Sequence, residues 1–127
     1  MNREYIINKL KEYNFDPNEY IVISGAAMVL YGFKEKTHDI DISCTKRYTN
    51  KLLKNYDCTL EYEHSDGNKA YMIDNIVNFG PNYYSKNKNY IEGIPVQRVE
   101  DIIKLKKSLN REKDLKDLEL IYKHINK

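Results

Sequence analysis

Cysteine is scarce in this chain, with Cys44 and Cys58 the two among 127 residues. They have neither the spacing of a zinc site nor the density of a disulfide framework, which suits a reducing compartment. Charge of one sign is also in short supply. A formal net charge of +2 is too small to imply a nucleic-acid partner by itself, although it leaves room for a local basic cluster. No run approaches the roughly 18 apolar residues of a membrane span, and the opening MNREYIINKLK lacks the apolar centre of a signal peptide. The expectation is a cytoplasmic protein with no membrane partner. Nothing in the composition points to disorder: 41% of residues are hydrophobic and 31% charged, enough to build a core and keep it in solution. This length suits one domain, residues 1–127, around a single core.

What is present is concentrated between Ile21 and Cys44, IVISGAAMVLYGFKEKTHDIDISC. Ile21, Val22 and Ile23 read as a strand, Ser24-Gly25 as a tight turn, and Ala26 to Tyr31 as a short helix stopped at Gly32. That helix is apolar nearly all round, as one squeezed against a sheet should be. A polar loop with Lys34, Lys36, Thr37 and His38 then leads to a second strand carrying Asp39 and Asp41. Side chains alternate along a strand, so the two carboxylates stand side by side while Ile40 and Ile42 point into the core. Like charges that close repel, and a hard divalent ion such as magnesium, which takes oxygen ligands, offsets the repulsion. The helix after Ser24 aims partial positive charge and free N–H groups at whatever lies beside it, a ready phosphate site. Taken alone, Ser24 is equally explained as a helix cap.

The flanking segments are consistent with one sheet covered by helices. Arg3 to Tyr13 places Ile6, Ile7 and Leu10 on one helical face, and Asn14 to Glu19 forms a turn into the first strand. Thr45 to Tyr56 reads as a helix with Leu52 and Leu53 inward and lysines outward. Cys58 to Glu63 alternates like a strand, Ser65-Asp66-Gly67-Asn68 is a hairpin turn, and KAYMIDNIVNF returns as one strand or two short ones broken near Asp74-Asn75. Gly80 to Gly93 is a polar connection whose Tyr83, Tyr84 and Tyr90 either stack on a base or pack as ordinary loop residues. Ile94-Pro95-Val96 is a short extended run. At the C-terminus, Ile102, Ile103, Leu105 and Leu109 give one helix an apolar face, and Leu115, Leu118, Leu120 and Ile121 give it to a second, with a break near Asn110. The predicted class is α/β (α+β): a mixed β-sheet of four to five strands flanked by helices, with a C-terminal helix pair.

Ser-Gly, a short helix and Asp-x-Asp about a dozen residues on, followed far downstream by Asp-Ile-Ile-Lys-Leu-Lys and Asn-Arg-Glu-Lys-Asp-Leu, resemble the DNA polymerase beta-like nucleotidyltransferases. The small stand-alone members, including those of the abortive-infection type, are the nearest likeness. Thr37, Asp39 and Asp41 match the T-x-D-x-D form of the motif. The resemblance implies that Ser24 and Gly25 hold a triphosphate, that Asp39 and Asp41 hold two Mg2+ ions, and that Lys106, Arg111 and Lys113 supply positive charge to the nucleotide. Asp114 and Asp117 then orient those bases or cap the second helix. It further implies a third carboxylate on the return strand, acting as a general base and sharing a metal. Asp74 and Asn78 compete for that position. Asp74 has the chemistry but lies at the strand break, whereas Asn78, between Val77 and Phe79, has the placement but can neither take a proton nor neutralise a metal.

The implied activity is transfer of a nucleotidyl group from a nucleoside triphosphate to a hydroxyl acceptor on a small molecule, a protein or an RNA end, with release of pyrophosphate. If Asn78 holds the third position, the alternative is a catalytically degenerate protein that binds nucleotide or a protein partner, in a toxin–antitoxin or phage-defence setting. A purely RNA-directed protein is a third class, supported only by the scattered lysines and marked by salt-dependent RNA binding without a triphosphate.

Overall fold

The computed structural model describes residues 1–126. Along the chain it forms α1 (Arg3–Tyr13), β1 (Tyr20–Val22), α2 (Ser24–Tyr31), β2 (Ile40–Cys44), α3 (Lys46–Asn55) and β3 (Cys58–Glu63). These are followed by β4 (Lys69–Ile73), β5 (Val77–Gly80), β6 (Lys88–Ile91), β7 (Ile94–Gln97), α4 (Val99–Leu109) and α5 (Glu112–Ile125). The strands build one sheet in the order β3-β4-β5-β2-β1-β7-β6. β2 runs parallel to β5 and β1 parallel to β7, while the other neighbours are antiparallel. The predicted mixed α/β architecture with a C-terminal helix pair is the one observed.

Local chemistry sets the boundaries. Asn2 caps α1 by accepting the Tyr5 N–H, and Asn14 ends it in the left-handed region at φ 54°. Thr45 caps α3 in the same way, accepting from Tyr48. Gly32 terminates α2 at φ 84°, a conformation that costs glycine little because it has no Cβ. Asp74 and Asn75, at φ 55° and 56°, form the turn that separates β4 from β5. Ile6, Leu10, Met28, Leu30, Ile40, Ile42, Val77 and Phe79 belong to one continuous buried core, so α1, α2 and β2 share the apolar centre that their sequence patterns demand.

Two expectations are corrected. The sheet has seven strands among the described residues, because β6 and β7 form a hairpin within and just beyond the stretch read as a polar connection. Its turn, Glu92-Gly93, has φ 50° and 81°, the two-residue geometry that matches strand twist. β6 is an edge strand with its middle residues exposed, so it carries no apolar alternation to read. In α5, Leu115 is 52% exposed although the pattern placed it inward, whereas Leu118 is 7% exposed. The buried stripe of that helix is Asp114, Asp117, Leu118 and Ile121, and its counterpart on α4 is Ile102 and Lys106. Charged side chains occupy positions that an apolar count assigns to leucine. No helix among the described residues is long and apolar enough to cross a membrane.

The two leucines of α5 should respond differently to truncation. Leu118→Ala is expected to lower stability by about 2–5 kcal/mol and Leu115→Ala by less than about 0.5 kcal/mol, as read from urea unfolding midpoints at constant m.

Candidate active site

The site forms where β1 ends and α2 begins. The Ile23 N–H bonds to the Asp41 carbonyl at 2.9 Å, joining the first strand to the aspartate strand at that point. Ser24 then enters the left-handed region, φ 56°, turning the chain sharply into α2. No side chain caps this helix, and the Ser24 hydroxyl forms no hydrogen bond among the described residues, so the simple capping role is not the one observed. The N–H groups of the first turn have no helical carbonyl to bond, and the Ser24 N–H is braced by Gln97 Oε1 of β7 at 3.4 Å. Gly25 is required by close approach: a Cβ there would lie 2.9 Å from Thr37 Oγ1. The threonine ahead of the aspartates therefore packs directly on the turn.

Asp39 lies just before β2, and Asp41 within it. Ile40 and Ile42 are buried on either side of Asp41, as alternation requires. Burial, with the neighbouring charge of Asp39, pushes the Asp41 carboxyl up to about 6, against a smaller opposing pull from Lys113 and Lys106. Neither aspartate forms an ion pair or a side-chain hydrogen bond among the described residues. They stand as a couple of carboxylates with no counter-ion in contact among the described residues.

The two candidates for the third position separate cleanly. Asn78 is in register with Asp41 across the parallel β2/β5 pair and with Met72 of β4, so its side chain shares the face of the sheet that Asp41 presents. Both line a cleft of about 400 Å³ together with Ser24. Asp74 is not on the described lining of that cleft. It sits in the left-handed turn, accepting a 2.7 Å hydrogen bond from the Tyr13 hydroxyl, because a hairpin turn at the far end of β4 and β5 carries it away from the strand face.

The C-terminal basic residues are tied into a chain of ion pairs. Lys106, 3% exposed, is held by Asp117 at 3.0 Å and Asp114 at 3.6 Å, and Lys34 reaches the other oxygen of Asp117 at 3.2 Å. Arg111 grips Asp114 through Nε at 2.7 Å and Nη2 at 3.2 Å, and its backbone N–H donates to the same carboxylate at 3.0 Å. Burial opposes ionisation of Asp114, but the hydrogen bonds from Arg111 and the charge of Lys106 prevail and hold its carboxyl below the usual range. Lys106, expected to face the triphosphate, has its ammonium between these two carboxylates, as a buried cation requires. Arg111 does line the cleft, and Lys113 is exposed and near enough to act on Asp41.

Residues 4–126 match the family described as "Nucleotidyltransferase of unknown function (DUF6036)". The chain belongs to this nucleotidyltransferase family. No curated protein matches it. Solved structures with the same fold include TM1012 of Thermotoga maritima, a candidate nucleotidyltransferase, at 17% identity over 99% of this chain and 96% of that one, TM-score 0.63. JHP933 of Helicobacter pylori matches at 19% identity over 96% of this chain and 65% of its own, TM-score 0.63. ANT(2″)-Ia, solved with adenylyl-2″-tobramycin, matches at 16% identity over 96% and 86%, TM-score 0.58. At these identities the likeness speaks for the fold alone.

For this family member, the sequence reading had named Tyr83 but missed its neighbours at the far end of the cleft. Tyr62 and His64 of the β3–β4 hairpin line it with Asn82 and Tyr83, opposite Leu105 and Leu109 of α4. The signal lay in strand pairing: Tyr62 is opposite Ala70, whose small side chain leaves the hollow open. Tyr84 instead donates its hydroxyl to the Asn18 carbonyl, and Tyr90 lies on the edge strand β6. No group of three or more His, Cys, Asp or Glu suited to a metal occurs among the described residues. Asp39 is not on the described lining of the cleft, but Asp41 with the Asn78 amide oxygen beside it fits magnesium, which binds through one or two carboxylates and completes its shell with water and phosphate oxygens.

Two outcomes test this geometry. Gly25→Ala should cost about 1–3 kcal/mol by overpacking against Thr37, and the penalty should vanish in a Thr37→Ala background, where the nearest remaining atom is 3.7 Å away; chemical denaturation of the four proteins of the cycle measures this. Because the folded Asp41 carboxyl titrates above its unfolded value of 3.8, its contribution to stability is fully present below pH about 4 and is lost as pH rises through about 6. Asp41→Asn should therefore match wild type near pH 4 and exceed it by about 3 kcal/mol at pH 8, checked by thermal unfolding across that range.

Proposed function

We propose that the cleft binds a nucleoside triphosphate with a divalent cation and transfers its nucleotidyl group to a hydroxyl acceptor. The observation that carries this reading is the unpaired Asp39/Asp41 couple, Asp41 sharing one cleft with Ser24 at the uncapped start of α2 and with Arg111. The first-turn N–H groups of α2 and the Ser24 hydroxyl would hold the β- and γ-phosphates, and Arg111 and Lys113 would meet the remaining negative charge. Asp39 and Asp41 would hold magnesium, and a second ion would depend on the Asn78 amide oxygen and the substrate's own phosphates. When bound, the metal would stabilise charge on the attacking and leaving oxygens. The acceptor oxygen bonds to the α-phosphorus, the bond from that phosphorus to the bridging oxygen breaks, and pyrophosphate leaves while the acceptor proton passes to water. Asp41 is the single carboxylate on the described cleft lining, so an acceptor bearing several ammonium groups finds little counter-charge.

Asn78 supports a second reading. An amide in register with Asp41 cannot take the acceptor's proton, which fits a module that binds nucleotide, or a protein partner through the same surface, without transferring it. An assay with α-labelled ATP, magnesium and cell lysate separates the two. Transfer of label by wild type, abolished in Asp39→Asn and Asp41→Asn, establishes the enzyme. Asn78→Asp is then expected to raise the rate by about a hundredfold or more. Binding of ATP without labelling of any acceptor, even in Asn78→Asp, would sink the transfer reading in favour of the binding module.

A further inference from the structure

A second cavity, of about 300 Å³, lies on the opposite face of the sheet from the cleft. Ala70 of β4 lines the cleft and Met72 is in register with Asn78, so alternation turns Lys69 and Tyr71 the other way. There they share a groove with one face of α3, Lys46, Asn50 and Leu53 at i, i+4 and i+7. The charge on this groove is of one sign, with no Asp or Glu on its described lining. Lys46 forms no ion pair among the described residues, although on the same helix Arg47 pairs with Glu19 and Lys51 lies over the Tyr48 ring. Lys69 has a single distant partner, Glu63 at 4.0 Å, with both side chains well exposed. The Asn50 amide makes no hydrogen bond among the described residues. Leu53 and Tyr71, with Pro81 on the same lining, are half-buried and apolar. Two ammonium groups on one cavity repel each other, and an anion offsets that repulsion.

We propose that this groove is a second ligand site, which takes the phosphate monoester of a small molecule. The phosphate is held by Lys46, Lys69 and Asn50, and the carbon skeleton rests on Leu53, Tyr71 and Pro81. A phosphate monoester carries nearly two negative charges at neutral pH, matching the two lysines, and its oxygens accept from ammonium and amide alike. The volume falls within the range of small-molecule pockets. The site is separate from the cleft and stands whether or not the cleft transfers nucleotides. Its occupant would nevertheless be felt there. Pro81 lies between Gly80 and Asn82, which line the cleft, and the Asn68 amide on the groove lining donates to Asn82 Oδ1 at 2.9 Å. Tyr83, held in the left-handed region at φ 74°, follows directly and also lines the cleft.

The test is calorimetric titration of wild type, Lys46→Gln and Lys69→Gln with phenyl phosphate and with inorganic phosphate. Both lysines are exposed, so the variants should fold as wild type does, checked by unchanged thermal unfolding midpoints. The expected result is saturable binding of phenyl phosphate to wild type, tighter than that of inorganic phosphate, and roughly tenfold weaker in each variant. The amide resonances of Asn82 and Tyr83 should shift on saturation in a nuclear magnetic resonance titration of wild type. No saturable binding to wild type would overturn the proposal, and so would unchanged affinity in both lysine variants, which would put the anion elsewhere. Equal affinity for the two phosphates would remove the role given to the carbon skeleton and with it the monoester assignment. If oligouridylate binds through the same lysines with steep salt dependence while phenyl phosphate does not bind, the groove is a track for a nucleic-acid strand and the small-ligand assignment is wrong.

Discussion

The central position of β2 is the constraint from which the rest of the molecule follows. It is bonded on one side to β1, antiparallel, and on the other to β5, parallel, so its backbone groups are satisfied within the sheet. Ile40 and Ile42 are buried in the core, and strict alternation leaves Asp41 no direction but the open face. A slip of one residue would place a carboxylate among Met28, Val77 and Phe79 and an isoleucine in the cleft. The hydrophobic core therefore specifies the acidic site as strongly as it specifies the fold, and the raised Asp41 carboxyl is the electrostatic cost of holding it there.

A second, charged core fastens the helix pair to this sheet. Lys106 between Asp114 and Asp117, with Lys34 and Arg111 at either end, links the loop before β2 to α4 and α5. Such buried networks contribute little net stability compared with an apolar replacement, because desolvation offsets the attraction. Their effect here is geometric. Asp114 presents Arg111 to the cleft in a fixed fork, and Lys106 acts on Asp41 through its charge without being on the described lining of the cavity. The site that results is basic on the helix side, acidic at β2 and aromatic on the β3–β4 hairpin.

Much of this was legible in the sequence. Short-range rules were sufficient for α1, whose bounds follow from Ile6, Ile7, Leu10 and the caps at Asn2 and Asn14. They were sufficient for the strand–turn–helix at Ser24 and for the turns at Gly67 and Asp74-Asn75, because each depends on a residue's own backbone preference or on the period of its neighbours. β6 escaped because an exposed edge strand carries no period. The inward face of α5 was misjudged because Asp114 and Asp117 are buried only by virtue of Lys106, a partner on another helix.

The choice between Asp74 and Asn78 shows where sequence reading stops. Residue chemistry identified both candidates and named the consequence of each, but their placement depends on which residue of β5 stands beside Asp41, a fact of register between strands separated by more than thirty positions. Tyr62 and His64 came to the cleft for the same reason, carried across the sheet by β4. The sequence by itself determined the helices, the central strands, the acidic pair and the family, since these rest on local periodicity and on motifs of adjacent residues. Only the tertiary structure decided which side chains share the cleft, because proximity across a sheet is set by pairing and burial, and neither is a property of a residue and its chain neighbours.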